Sequence, residues 1–358
     1  MESDSKPILV TGGGGFLGSA IVRMLRGRGA AVRSLARNHY PELNELGVAQ
    51  YRGDVADPEA VGRATAGCSA VFHVAARAGL WGRYADYYRA NVVGTQTVIA
   101  ACRQNGVRRL IYTSSPSVVF TGEDLEGADE SIPYAPRYDA AYPATKAIAE
   151  KLVLASNDAS LGTVSLRPHL IWGPGDNNIL PRIFARARAG RLFRIGNRNP
   201  LIDLTYIDNA AHAHVLAGDR LAPGSTIAGK AYFVAQGQPV PLWDMVNRFL
   251  SVAGLPPVSR SVPLALAVIL GGAFEAVYTV FRLPGEPRMT RFLARELSTA
   301  HWYNLDAARR DLGYAPIVGI EEGLLRLGES LASQDDHGLP LTARCSTFHH
   351  ADDHPSGD

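Results

Sequence analysis

The chain has 358 residues, 46% of them apolar, and a formal net charge of +2 with no long run of one sign. That length can bury a full core and fits a nucleotide domain with a smaller attached lobe, while the near-neutral charge gives nucleic acid no electrostatic footing as a partner. The three cysteines, Cys68, Cys102 and Cys345, have neither the pairing nor the spacing of a disulfide framework or a zinc site, so a reducing cytoplasm and no metal are expected. The first residues, Met-Glu-Ser-Asp-Ser-Lys, are polar and lead straight into a strand, without an apolar signal core.

From Pro7 onward short apolar runs alternate with helical stretches. Ile8 to Val10, Ala31 to Leu35, Ala70 to Val74, Leu110 to Thr113 and Thr163 to Leu166 read as strands buried on both faces, the mark of a parallel sheet wrapped by helices. Helices are expected to begin near Gly15, Pro58, Tyr87 and Tyr142. The pattern predicts an α/β doubly wound parallel sheet, a Rossmann domain over residues 1–172. After Trp172-Gly-Pro-Gly-Asp176 the alternation stops, and helices such as Leu242 to Ala253 and Asp306 to Leu312 stand among Pro-, Gly- and Arg-rich segments. Residues 173–332 therefore read as a substrate lobe whose segments return to the first domain. Residues 333–358 lack periodicity and read as a disordered tail, in which His349, His350 and His354 are solvated rather than metal ligands.

Gly12, Gly15 and Gly18 follow the first strand and open the first helix within Thr11-Gly-Gly-Gly-Gly-Phe-Leu-Gly18. In that context a glycine pattern is a dinucleotide fingerprint, because bare backbone can approach a pyrophosphate at a helix amino terminus. Gly12, Gly15, Phe16, Leu17 and Gly18 are accordingly cofactor candidates. An NAD enzyme carries an acid about 20 residues on, at the end of the second strand. Here Ala36-Arg37 holds that place, and a guanidinium suits the 2′-phosphate of NADP(H). Asp54-Val55 can meet the adenine, and Ala75 closes the fourth strand with a small side chain. His73 in the same apolar run reads as a satisfied core histidine.

Tyr142 and Lys146, four apart, share one helical face, so the ammonium is expected to stand beside the phenol and lower its pKa. Upstream, Tyr112-Thr-Ser-Ser115 ends a buried strand at the sheet edge where ligands bind, and a hydroxyl there can hold a substrate oxygen. Ser114, Ser115 and Ser117 are all available; Ser115 is preferred by its spacing to Val118.

With these residues in view the chain resembles the extended short-chain dehydrogenase/reductase superfamily, in its Thr-Gly-x-x-Gly-x-x-Gly, Ser-x-x-Val and Tyr-x-x-x-Lys motifs. Asn91-Val-Val-Gly-Thr95, Leu166-Arg-Pro-His-Leu-Ile-Trp-Gly-Pro-Gly-Asp176, Thr205-Tyr-Ile-Asp-Asn-Ala-Ala-His-Ala-His214 and Pro287-Arg-Met-Thr-Arg291 are similar to its 3β-hydroxysteroid dehydrogenase branch, sterol-4α-carboxylate dehydrogenases included. Ala75-Ala-Arg-Ala-Gly-Leu-Trp-Gly82 and Tyr112-Thr-Ser-Ser-Pro-Ser-Val118 resemble more closely the 2-alkyl-3-oxoalkanoate reductases of bacterial long-chain olefin synthesis. The resemblance spans about residues 7 to 330. It implies Tyr142 as proton donor, Lys146 as holder of the nicotinamide ribose and modulator of the phenol, and Ser115 as the hydroxyl that orients the carbonyl. It also places Pro168 and Ile171 beside the nicotinamide, gives Asn91 a structural role, and implies a homodimer and contact with other enzymes of the pathway.

The reading is an NADPH-dependent reductase of the 3-oxo group of long-chain 2-alkyl-3-oxoalkanoic acids. Arg77, Arg83 and His169 are candidate partners for the substrate carboxylate. A 3β-hydroxysteroid or sterol-carboxylate dehydrogenase, a nucleotide-sugar epimerase and a non-catalytic cofactor sensor stand as rivals. The apolar segment from Leu264 to Leu283 carries only Glu275 and Arg282 as charges. It is expected to line a substrate tunnel, with Phe274 and Val277 in its wall, or to lie at a membrane or partner surface, rather than to span a bilayer.

Overall fold

In the computed structural model, residues 6–336 are described. Seven strands form one parallel sheet: β1 (Ile8–Thr11), β2 (Val32–Ala36), β3 (Ala49–Arg52), β4 (Ala70–His73), β5 (Arg109–Thr113), β6 (Gly162–Pro168) and β7 (Lys230–Val234), in the order β7-β6-β5-β4-β1-β2-β3. β4 and β6 are buried along their whole length, as continuous apolar runs under helices on both faces must be. The order reverses beside β1, and the crevice at the carboxyl ends of β1 and β4 is where such sheets bind ligands.

Two strands escape the apolar-run criterion. β3 reads Ala-Gln-Tyr-Arg and is partly exposed, because an edge strand needs no continuous apolar face. β7 lies in the second half of the chain and pairs with β6 from Lys230↔Val164 to Val234↔Pro168. The helix Ile207–Arg220 likewise packs on the first helix, Phe16–Gly27. Traffic in the other direction is Leu125–Ala128, which joins a four-stranded lobe sheet with Val240–Pro241, Leu201–Ile202 and His301–Tyr303. Residue 172 is therefore crossed by strand pairings in both directions.

The last described helix is Ile320–Asp336, so helical structure continues past the expected start of the tail at 333. The tail histidines lie outside the described residues. Among the described residues no helix is long and apolar enough to cross a membrane, and no cluster of His, Cys, Asp or Glu is arranged to hold a metal ion.

Candidate active site

The crevice is built from the end of β1. Gly12 sits at φ 70°, and a Cβ there would come within 3.1 Å of the Ala75 backbone, so only glycine lets β1 and β4 close at this point. A Cβ on Gly18 would lie 2.0 Å from the Gly12 carbonyl, which fixes how tightly the helix Phe16–Gly27 seats on its turn. Gly15 is the residue before that helix and offers no side-chain cap, leaving the first helical N–H groups to an external acceptor. Gly12, Gly15 and Gly18 thus stand as the sequence placed them, with Phe16 half-buried and Leu17 buried behind. The cradle fits a dinucleotide pyrophosphate.

Thr11 locks this geometry. Its Oγ1 accepts from the backbone N–H groups of Val74 and Ala75, each at 3.1 Å, so its proton must go to Nδ1 of His73 at 2.8 Å. His73 then carries its proton on Nε2 and donates it to Thr95 Oγ1 at 3.0 Å, whose own hydroxyl donates to the Asn91 carbonyl at 2.6 Å. Burial holds the His73 pKa down to about 3, in keeping with one neutral tautomer. It is a structural relay, as its apolar surroundings in the sequence imply.

At the far side of the crevice Arg37 is exposed at the end of β2, and no ion-pair partner for it occurs among the described residues. Asp54 bonds the Ala56 N–H at 2.9 Å and faces Arg89 at 3.5 Å. Val55 packs against Gly94, where a Cβ would approach it to 2.7 Å. Pro168 ends β6 and Ile171 begins a separate two-residue strand, Ile171–Trp172, with Leu170 between them, a non-glycine residue held at φ 41°. Such a left-handed residue is costly and tends to occur at functional sites.

The helix Ala141–Ala155 is alanine-rich, with its proline in the first turn where a missing N–H costs least. Tyr142, Lys146 and Glu150 repeat every four residues and form one stripe. Lys146 is 2% exposed, donates to the Thr113 carbonyl at 2.6 Å and lies 4.2 Å from the Tyr112 ring centre. Burial lowers its pKa to about 7, with Glu150 acting in the opposite sense. Glu150 is fully buried and held by Arg167 at 2.6 Å, Tyr134 at 2.8 Å and Ser165 at 2.9 Å.

Tyr142 departs from expectation. Burial raises its pKa to about 12, the Ser115 hydroxyl beside it acts to lower that value, and Glu296 and Tyr87 raise it further. The predicted lowering by Lys146 is absent: the ammonium is itself desolvated and bonded to the Thr113 carbonyl. At neutral pH the phenol is protonated and ready to donate. Ser115 interacts with Tyr142 and accepts from Ser117 Oγ at 2.9 Å, whereas Ser114 is 3% exposed.

Tyr142 lines a cavity of about 90 Å³ with Trp81, Tyr87, Asp139, Glu275 and Thr290. Two of its carboxylates are neutralised, Asp139 by Arg295 and Glu275 by the Arg291 side chain and N–H, each at 2.7 Å. A larger hollow of about 460 Å³ lies between Tyr134, Arg167 and Tyr232 and touches neither Tyr142 nor the glycine turn. Asn91 binds both polar backbone atoms of Arg77, at 2.7 and 3.1 Å, and donates to Thr145 at 3.0 Å, tying the Trp81 loop to the Tyr142 helix. It lies in a π-helical turn, Tyr88–Val93.

His169 is not a carboxylate partner. It is 6% exposed, bonded to the Asp203 carbonyl at 2.7 Å, packed edge-on to Tyr303, and held neutral by burial with a pKa near 4. Arg77 lies over the Tyr87 ring near Asp86, and Arg83 is exposed on the same loop. Phe274 and Val277 are not in the cavity wall, since the helix meets the cavity through Glu275. Glu275 had been visible only as an acid in an apolar run. Thr290 lay within the Pro287 to Arg291 motif without a role, and Glu296 and Asp139 had no sequence signal, because they reach the site from segments distant in the chain.

A dinucleotide crevice opening beside a protonated tyrosine defines an oxidoreductase of the short-chain dehydrogenase/reductase class. The chain belongs to the 3-beta hydroxysteroid dehydrogenase/isomerase family, whose profile matches residues 9–265. It is 54% identical over 330 residues to a 2-alkyl-3-oxoalkanoate reductase of Stenotrophomonas maltophilia, covering 91% of this chain and 99% of that one. It is 33% identical over 333 residues to the mouse sterol-4-alpha-carboxylate 3-dehydrogenase, decarboxylating, covering 92% and 91% respectively. Among solved structures it is similar to MoeE5 in complex with UDP-glucose and NAD, with a TM-score of 0.70, 25% identity and coverage of 92% and 99%. A nicotinamide dinucleotide is thus the cofactor class.

Proposed function

We propose that the protein is an NADPH-dependent reductase that converts long-chain 2-alkyl-3-oxoalkanoic acids to 2-alkyl-3-hydroxyalkanoic acids, a step of hydrocarbon biosynthesis. The observation that carries this reading is the protonated Tyr142 on the cavity wall beside Ser115, in a chain 54% identical to a reductase of that name. When bound, the reduced nicotinamide supplies a hydride to the substrate's third carbon. The chain's own residues supply the rest. Ser115 holds the oxo oxygen and Tyr142 gives it a proton, so charge never accumulates on oxygen. Lys146, steadied by the Thr113 carbonyl, would hold the nicotinamide ribose beside that phenol.

The 2′-phosphate preference rests on Arg37, exposed and without an ion-pair partner among the described residues, in the place of a ribose-binding acid. Arg77 and Arg83, on the loop at the cavity rim, are the cations for the substrate carboxylate. In this reading the cavity beside Tyr142 takes the reacting end of the substrate. NADPH consumption with 2-alkyl-3-oxo acids, 3-ketosteroids and UDP-sugars separates the readings. Turnover with the oxo acids alone is expected. Preference for a sterol would favour the oxidative relatives, and sugar conversion without net cofactor consumption would favour an epimerase.

A further inference from the structure

β7 is an edge strand, and against it lies the hollow of about 460 Å³, within the range of roughly 300–1,000 Å³ of small-molecule sites. Its walls are largely apolar. Ile132 and Tyr134 come from the segment before the Tyr142 helix, Leu154 from the last turn of that helix, and Ala231, Tyr232 and Ala307 from the lobe half of the chain.

Arg167 also lines the hollow, and its hydrogen bonding is incomplete. The residue is 3% exposed and gives Nε and Nη2 to Glu150, at 3.1 and 2.6 Å, while the Tyr134 and Phe233 rings lie 5.6 and 5.1 Å from its guanidinium carbon. Its buried Nη1 has no acceptor among the described residues. A dehydrated guanidinium N–H without a partner is costly, so an acceptor is missing from this wall. The acids of the wall are engaged elsewhere. Asp311 accepts from Lys230 at 3.2 Å and from Arg310 and the Tyr232 hydroxyl, each at 2.8 Å, and Glu130 accepts the Phe233 N–H at 2.8 Å. Lys151 stands 4.4 Å from the centre of the Tyr134 ring and adds a cation nearby.

We propose that this hollow is an effector site for a small aromatic carboxylate, its carboxylate meeting Arg167 and its ring lying between Tyr134 and Tyr232. A carboxylate is the acceptor best matched to a planar guanidinium, and tyrosine walls favour a ring over a flexible chain. Occupation would be felt at the active site. Arg167 holds Glu150, which stands one helical turn from Lys146 and two from Tyr142 on the same stripe. A new acceptor for the guanidinium loosens its hold on Glu150 and thereby the setting of Lys146. The hollow is separate from the Tyr142 cavity, so the assignment does not depend on the substrate.

The test is calorimetric titration of the full-length protein with 2-naphthoate, alone and with saturating NADPH, beside its neutral counterpart 2-naphthamide. Naphthoate is expected to bind one site per chain, and the amide on the order of tenfold more weakly for want of charge. Ala231→Trp and Ala307→Trp each fill the hollow and should abolish binding while retaining NADPH. Naphthoate affinity should differ about fivefold or more with and without NADPH, as reciprocal coupling between two sites requires. Absence of binding to wild type at millimolar naphthoate would overturn the proposal, as would binding that both tryptophan variants retain. Binding lost in those variants but equal with and without NADPH would remove the effector role.

Discussion

Between Thr11 and Gly18 eight consecutive residues complete a strand end, a tight turn and a helix start, and with them half of the cofactor crevice. The four-stranded lobe sheet is instead assembled from Leu125–Ala128, Leu201–Ile202, Val240–Pro241 and His301–Tyr303. The acids nearest Tyr142 are just as scattered, with Asp139, Glu275 and Glu296 on three separate segments. Local construction makes the cofactor side robust to change elsewhere and readable as a motif. Dispersed construction makes the substrate side depend on long-range packing, and leaves it free to vary without disturbing hydride chemistry.

The largest effect is expected where the two sides meet. Tyr142→Phe removes the proton donor alone, so turnover should fall on the order of 10²–10⁴-fold while cofactor affinity is retained. Near-normal turnover in steady-state kinetics would break the assignment. Beneath that residue, Glu150→Ala strands the buried Arg167 guanidinium and should cost about 3–5 kcal/mol in urea unfolding, with Glu150→Ala/Arg167→Met costing less. A loss under 1 kcal/mol would show that the pair does not anchor the catalytic helix.

On the cofactor side Arg37→Ala should weaken NADPH by roughly 1.5–3 kcal/mol and leave NADH nearly unchanged, as measured by fluorescence titration. Equal losses for both cofactors would remove the 2′-phosphate role. The smallest effect is a pH limb. Lys146 is charged below its pKa of about 7, so kcat/KM for reduction should fall as pH rises through that value. Glu150 favours the charged lysine, and Glu150→Gln should move the limb to lower pH. The sign for stability is opposite. With the folded pKa near 7 below the ordinary 10.5, the unfolded chain binds more protons between them, so this group's contribution to stability rises with pH across that window. Lys146→Met should abolish both dependences.

The contrast also explains what could be read from the chain beforehand. The doubly wound sheet was legible because β1, β2, β4, β5 and β6 are buried on both faces and spell it in continuous apolar runs. β3 and β7 were not, the first being a partly polar edge strand and the second arriving from the lobe half. His73 was readable as a core histidine from its apolar run, whereas the structural role of Asn91 came from the family resemblance. The phenol's pKa went the other way because spacing reports proximity, whereas burial of both groups decides charge. His169 carried no visible sign that its ring would be packed against Tyr303 and bonded to a backbone carbonyl. The helix Leu264–Val280 was recognisable as apolar, but which side would face outward follows only from its narrow seat on Ala267, Gly271 and Glu275.

The central claim is that Tyr142 and a nicotinamide together reduce the third carbon of a 2-alkyl-3-oxo acid. NADPH carrying deuterium at nicotinamide C4, supplied in each of its two stereospecific forms, tests it by mass spectrometry of the product. One form should deliver a single deuterium to the third carbon of the hydroxy acid, the other should deliver none, and Tyr142→Phe should slow both the transfer and the appearance of product. Hydroxy acid formed without deuterium from either form, or label that returns to the cofactor with no net reduction, would contradict the account.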